Sequence, residues 1–239
     1  MNVAISTLII RRNREGGAST CLLHWRDPAK VGHAGGLSQV IPVGIFQASG
    51  NQAWNELNNF SLWRCIVREI AEELLGRSED HGSDTAAIDY AGWPLARALQ
   101  DALDGGRASA VCLGMGTDPL TLATDLLTAV VIDDEVFDTL FAELVSNNAE
   151  GHLSSVAVPF DREAAERFGS AERMQAAGVA ALLLGSPSAS SRPMMDTPDA
   201  QVPQCRSRRV RPTHPVRTGA GRGCGRADVD PRDPGAVGV

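Results

Sequence analysis

The chain has 239 residues, 43% hydrophobic and 21% charged, with a formal net charge of −7. That balance supports one domain of moderate size plus appendages, and it excludes bulk electrostatic attraction to nucleic acid. No apolar run approaches the roughly eighteen residues of a membrane-spanning helix, and the opening "MNVAISTLIIRR" has neither a basic stretch before its apolar part nor a small-residue cleavage site, so a soluble, cytoplasmic protein is expected.

"VAISTLIIRR" and "STCLLHWRD", rich in β-formers and separated by the turn-prone "NREGGA", predict two antiparallel strands. The Gly- and Pro-rich "DPAKVGHAGG" reads as a loop, and it leads to a third strand, "SQVIPVGIFQ", which Pro42 and Gly44 end or bulge. "ASGNQAWNELNNF" shows little periodicity and reads as a loop.

From Ser61 the pattern becomes helical. Leu62, Ile66, Ile70 and Leu74 recur every four positions, Trp63 and Val67 widen the stripe, and Gly76 stands where a C-terminal cap belongs. "WPLARALQDALDGG" predicts a second helix, opened by Pro94 and stopped by Gly105 and Gly106. "ASAVCLGMG" and "DLLTAVVID" follow as strands, then "DDEVFDTLFAELVSNN" as a helix capped by Asp133 or Asp134. "HLSSVAVPF" alternates as a strand, "DREAAERFG" begins a short helix at Asp161, and "SAERMQAAGVAALLLG" closes the fold as a helix. Strands and helices in this order predict an α+β or α/β/α sandwich around one mixed sheet, over residues 1–185.

From Ser186 to Val239 there is no Leu, Ile, Phe, Trp or Tyr, while eight of the thirteen prolines and nine arginines fall there. Such a segment cannot offset its ordering entropy by burial, so residues 186–239 are expected to form a disordered tail. Nine arginines against five aspartates give it +4, which leaves −11 for residues 1–185. Its Arg, Pro, Gly and Ala content fits an out-of-frame reading of a GC-rich gene; the alternative is a basic arm that touches anionic partners.

The stretch "REIAEELLG" carries the densest chemistry. At helical spacing Glu69, Glu72 and Glu73 share one surface, away from the stripe of Ile66, Ile70 and Leu74. Like charges within one turn repel, so a cation is called for: Arg68 through a bidentate contact, or a hard divalent ion taking carboxylate oxygens. The plain alternative is a solvated helix face.

"REIAEE", preceded by a strand with a glycine at its exit, resembles the end of a Nudix box, G-x5-E-x7-R-E-U-x-E-E-x-G-U, with Arg68, Glu69, Ile70, Glu72 and Glu73 matching in order and spacing. The first half departs. Gly44 as the box glycine leaves 23 residues before Arg68 where the family has 13, and Gly50 pairs properly with Glu56 but then leaves eleven where the family has seven. Gly44 is preferred because it ends an apolar strand, and Glu56 receives no role. "EELLG" also has one residue too many before Gly76.

The resemblance implies a Nudix-type α/β/α sandwich and Mg²⁺- or Mn²⁺-dependent hydrolysis of a nucleoside diphosphate linked to another moiety. Glu69 and Glu73 would be metal ligands, Glu72 a ligand or a base acting through water, and Arg68 the group that orients a box glutamate. "FSLWRCIVREIAEELLG" and "GTDPLTLATDLLTAVVID" are also similar to the C-terminal Nudix-like part of actinobacterial helix-turn-helix regulators. That implies a non-catalytic ligand-sensing domain, reaching DNA only through another protein or the basic tail. A pure interaction module is the third class. The partner expected is a nucleotide-type small molecule, with no membrane and with room for a homodimer.

Other candidates carry less. The five cysteines, Cys21, Cys65, Cys112, Cys205 and Cys224, are scattered and read as reduced thiols. His24, His33, His81 and His152 lack metal-ligand spacing, and "GMGTDPL" is not a G-x-G-x-x-G turn. Cys65 lies among carboxylates that disfavour a thiolate, and Trp54 reads as an anchor or as a ring that stacks on a ligand's base.

Overall fold

A computed structural model describes residues 3–32, 34–78, 82–144, 151–153 and 158–186. The tail beyond Ser186 lies outside these residues, as do His33 and His81.

The apolar run at the N-terminus forms β1 (Val3–Arg12), and "STCLLHWRD" forms two short strands, β2 (Thr20–Cys21) and β3 (Leu23–Arg26), that enter different sheets. "SQVIPVGIFQ" likewise divides across the cis Ile41–Pro42 peptide into β4 (Ser38–Val40) and β5 (Val43–Ile45). The stretch expected to be a loop contains a helix, α1 (Ala53–Asn59). It is followed by α2 (Leu62–Glu69), a π-helical turn at Ile70–Leu74, and α3 (Pro94–Asp104). Then come β6 (Ala108–Thr117), β7 (Thr124–Asp133), α4 (Asp134–Leu140), β8 (Gly151–Leu153), β9 (Val158–Pro159), α5 (Arg162–Ser170) and α6 (Ala176–Gly185). The two ends of "HLSSVAVPF" fall in strands of different sheets, with residues 154–157 outside the described residues, and the closing helix begins only at Ala176 because Ser170 ends α5 and "AERMQ" is irregular.

The main sheet has the order β6-β7-β1-β2-β9, with β5 also paired to β1. β1 and β7 run parallel from Val3↔Thr124 to Arg12↔Asp133, whereas the other pairings are antiparallel. A second, antiparallel sheet has the order β4-β3-β8. The class is α+β around a mixed main sheet.

Alternation along β1 assigns the faces. Ile5 and Ile9 join Ile66, Ile70 and Leu74 of the α2 segment, with Leu99 of α3 and Phe137 of α4. Leu8 and Ile10 pack instead with Ala165 and Phe168 of α5 and Ala181 and Leu182 of α6. Helices therefore cover both faces of β1, which explains its near-continuous apolar run. The two hydroxyls inside that run are paired: Ser6 Oγ donates to Asp125 Oδ1 at 2.8 Å, and Thr7 Oγ1 and Thr128 Oγ1 lie 2.8 Å apart. Among the described residues no helix is long and apolar enough to cross a membrane.

The caps divide. Asp161 accepts from the Ala164 N–H at 2.7 Å, so it closes the first turn of α5 as expected. Asp133 stands at the N-cap of α4 but makes no cap bond; its carboxylate receives Arg12 Nε at 2.7 Å and Arg14 Nη1 at 2.9 Å.

Removing the α5 cap by Asp161→Ala should cost about 0.5–2 kcal/mol, read from urea denaturation midpoints. Cys21 gives a pH signature. Burial, with a smaller contribution from Asp161, pushes its thiol up to about 12. The unfolded thiol ionises near about 8.5, so this contribution is complete below that value and is lost as pH rises from there towards 12. Between about pH 8 and 10, wild type should lose more stability than Cys21→Ala, by up to about 1.4 kcal/mol per pH unit.

Candidate functional site

The acidic helix lies beside the exit of β5. Glu73 Oε1 accepts from the Val43 N–H at 2.8 Å, which fixes this carboxylate at the strand's edge. Glu69 reaches the next residue: a Cβ on Gly44 would stand 2.1–2.3 Å from its carboxylate carbon and oxygens. Two carboxylates thus approach the Val43–Gly44 backbone, and a side chain at position 44 would displace that of Glu69. Gly50, the other candidate for the box glycine, packs instead against Asn55, Ser83 and Asp84. Glu72 is half-buried one residue before Glu73.

The helix absorbs its extra residue locally. Ile70–Leu74 widens to π geometry, with Ile70, Ala71 and Leu74 still buried. It ends through Gly76 N–H to Glu72 O at 3.0 Å and Arg77 N–H to Ala71 O at 2.9 Å, with Gly76 at φ +61°. Each bond spans one residue more than in the Schellman ending of an α-helix. Single π turns of this kind occur frequently at functional sites.

Arg68 is buried, and its hydrogen bonds run away from the carboxylates. Nη2 donates to Gln47 O at 2.7 Å, and Nη1 donates to the Tyr90 hydroxyl at 3.1 Å and to Asn59 O at 3.4 Å. It therefore ties down both ends of the segment that separates β5 from α2. That segment is held by amides: buried Asn55 donates to Ser83 O at 3.0 Å, Asn59 donates to Asn55 Oδ1 at 2.9 Å and also to Ser49 Oγ, and Asn58 donates to Ile88 O at 2.8 Å. Trp54 Nε1 likewise donates to Ser83 O at 3.0 Å, so its indole N–H anchors the segment. Asn55 and Asn59, four apart, were the available signal for α1, but a search for apolar periodicity passes over them.

The thiol of Cys65 is buried beside this site and donates to Ile45 O at 3.5 Å. Burial is the main cause of its raised pKa; Glu69 adds to the effect and Arg68 opposes it. It is no nucleophile. His24 is buried on β3 and His152 exposed on β8.

Carboxylates are hard oxygen donors suited to Mg²⁺ or Mn²⁺. Among the described residues no three of His, Cys, Asp and Glu are grouped to hold a metal ion. Of the three expected ligands, Glu69 and Glu73 approach the Val43–Gly44 backbone, whereas Glu72 is not grouped with them as a third donor. Mg²⁺ is commonly held by one or two carboxylates, with substrate phosphates and water completing its shell, and on that chemistry the donor set fits.

Gly44→Ala should push the Glu69 carboxylate off this backbone at little cost in stability, because only the far end of a flexible side chain has to move. A crystal structure of the variant with Glu69 unshifted would contradict the close approach.

No protein-family model and no curated protein matches the chain. Among solved structures, a crystal structure of a NUDIX hydrolase from Alicyclobacillus acidocaldarius is similar to it at 16% identity and a TM-score of 0.43, over 79% of this chain and 93% of that one.

Proposed function

We propose that the chain is a Nudix-type hydrolase that cleaves the diphosphate bond of a nucleoside diphosphate linked to another moiety. The observation that supports this best is the pair of carboxylates, Glu69 and Glu73, flanking Val43–Gly44, within the ordered set Arg68, Glu69, Glu72 and Glu73. Glu69 and Glu73 would hold Mg²⁺ or Mn²⁺, with Glu72 as the base acting through water. When bound, the metal neutralises pyrophosphate charge and lowers the pKa of a water. The Val43 N–H keeps Glu73 aimed, and the bare Gly44 leaves room for Glu69 at the same backbone. Glu72 takes the proton of the attacking water. Arg68 contributes indirectly, by fixing the segment from Gln47 to Asn59 against the helix.

One observation favours a second reading. The bonds of Arg68 go to Gln47, Asn59 and Tyr90, whereas the family resemblance gives that arginine to a box glutamate. A scaffold arranged in this way could bind its nucleotide without turning it over, as a sensing domain that acts on DNA through another protein.

The test is Mg²⁺-dependent product release from a panel of nucleoside diphosphate derivatives, with wild type and Glu73→Gln side by side. Removing groups that only orient metal ligands costs about 10–100-fold. Losing a ligand should exceed that, so turnover should fall at least about a hundredfold while the folded spectrum persists. Absent wild-type turnover, accompanied by thermal stabilisation from one of the nucleotides, would establish the second reading instead.

A further inference from the structure

We propose a second ligand site, for a nucleoside monophosphate, in the cleft between α2 and α3. A cavity of about 340 Å³ opens there, and Trp63, Arg64, Tyr90, Arg97, Gln100 and Asp101 line it. The volume sits at the lower end of the range for small-molecule sites, about 300–1,000 Å³, which suits one mononucleotide and not a dinucleotide. Arg64 and Glu69 are five residues apart, about 140° round a helix, so the cleft lies on a different flank of α2 from the carboxylate pair.

The lining is chemically specific. The described residues are strongly acidic overall, yet two guanidiniums and one carboxylate border this cavity. Arg64 is pre-set: Nη1 donates to Asn58 Oδ1 at 2.8 Å and to the Asn58 carbonyl, while the guanidinium carbon sits 4.7 Å from the centre of the Tyr90 ring. Arg97 and Asp101 stand one turn apart on α3, the spacing of a helical ion pair. They form none, and the Arg97 guanidinium has no side-chain partner among the described residues. One fixed and one uncommitted guanidinium suit an anion with several acceptor oxygens, as on a phosphate monoester. The indole of Trp63 suits a flat aromatic group on the same molecule, while the Tyr90 ring backs Arg64. A phosphate joined to a planar base through a sugar is a nucleoside monophosphate.

The site also has a line to the candidate active site. Tyr90, which forms one wall, accepts the hydrogen bond from Arg68, and Arg68 holds the segment leading from β5. The binding itself is independent of any turnover at Glu69 and Glu73.

Calorimetric titration of the full chain with AMP in EDTA tests the assignment, alongside adenosine, inorganic phosphate, Arg97→Gln, Arg97→Lys and Glu73→Gln. AMP should bind at one site. Arg97→Gln should weaken it at least about tenfold, the loss of a charge-assisted hydrogen bond. Arg97→Lys should recover part of that loss, and Glu73→Gln should leave binding unchanged. Adenosine and inorganic phosphate, each lacking half of the recognised groups, should bind at least about tenfold more weakly than AMP. Arg97 is exposed, so both variants should keep the wild-type thermal midpoint. No AMP binding at millimolar concentration, equal affinity in Arg97→Gln, or binding lost in Glu73→Gln would each overturn the proposal.

Discussion

The parallel pairing of β1 with β7, in register across ten residues of each strand, is the interaction on which the rest of the molecule depends. With apolar side chains alternating to both faces, it creates two cores that only helices on both sides can cover. The long β6 extends this spine beyond β7, and short strands add to it on the other side: β5 pairs beside Ser6 and β2 beside Ile10. Because β5 is fixed to β1 and α2 packs on Ile5 and Ile9, the Val43–Gly44 backbone and the acidic helix are brought together by the core itself.

That arrangement puts rigidity where chemistry would need it. Glu69 and Glu73 project from a helix anchored by Ile66, Ile70 and Leu74, towards a backbone anchored by the central strand. The long segment between Gly44 and Arg68 does not loosen this arrangement. Asn59 donates to Asn55 within it, Asn55 and Asn58 donate to the Ser83 and Ile88 carbonyls, the Ser83 hydroxyl donates to Ser49 O, and Arg68 clamps both of its ends. Buried networks of this kind hold one geometry because each broken bond leaves a desolvated group unpaired.

Where apolar spacing governs structure, the sequence was informative. The stripe from Leu62 to Leu74, the run of β1, and Pro94 opening α3 were all legible, and so was Asp161 as a cap. Where polar contacts govern, it was not. α1 rests on asparagines, and Asp133 is taken by two arginines brought near by β1. Strands that change sheets were half hidden: Pro42 marked the break between β4 and β5, but Leu22 gave no such signal, and the assignment of the pieces to different sheets comes only from the tertiary pairing. At the site, the order of the carboxylates could be read, and Gly44 could be preferred to Gly50, although it lies within β5 and does not end it. The reach of Arg68 to Gln47, Asn59 and Tyr90 depends on the fold of an inserted segment that periodicity could not supply.

The wide turn at Ile70–Leu74 changes how kinship must be judged here. A backbone can take up one residue in a single swollen turn and leave the helix before it and the glycine exit after it in working order. A count through this helix stays in step as far as Glu73 and slips by one only at Gly76. Sequences are better compared with it in two blocks, one running through Glu73 and one beginning at Gly76, with the gap placed at Leu74–Leu75.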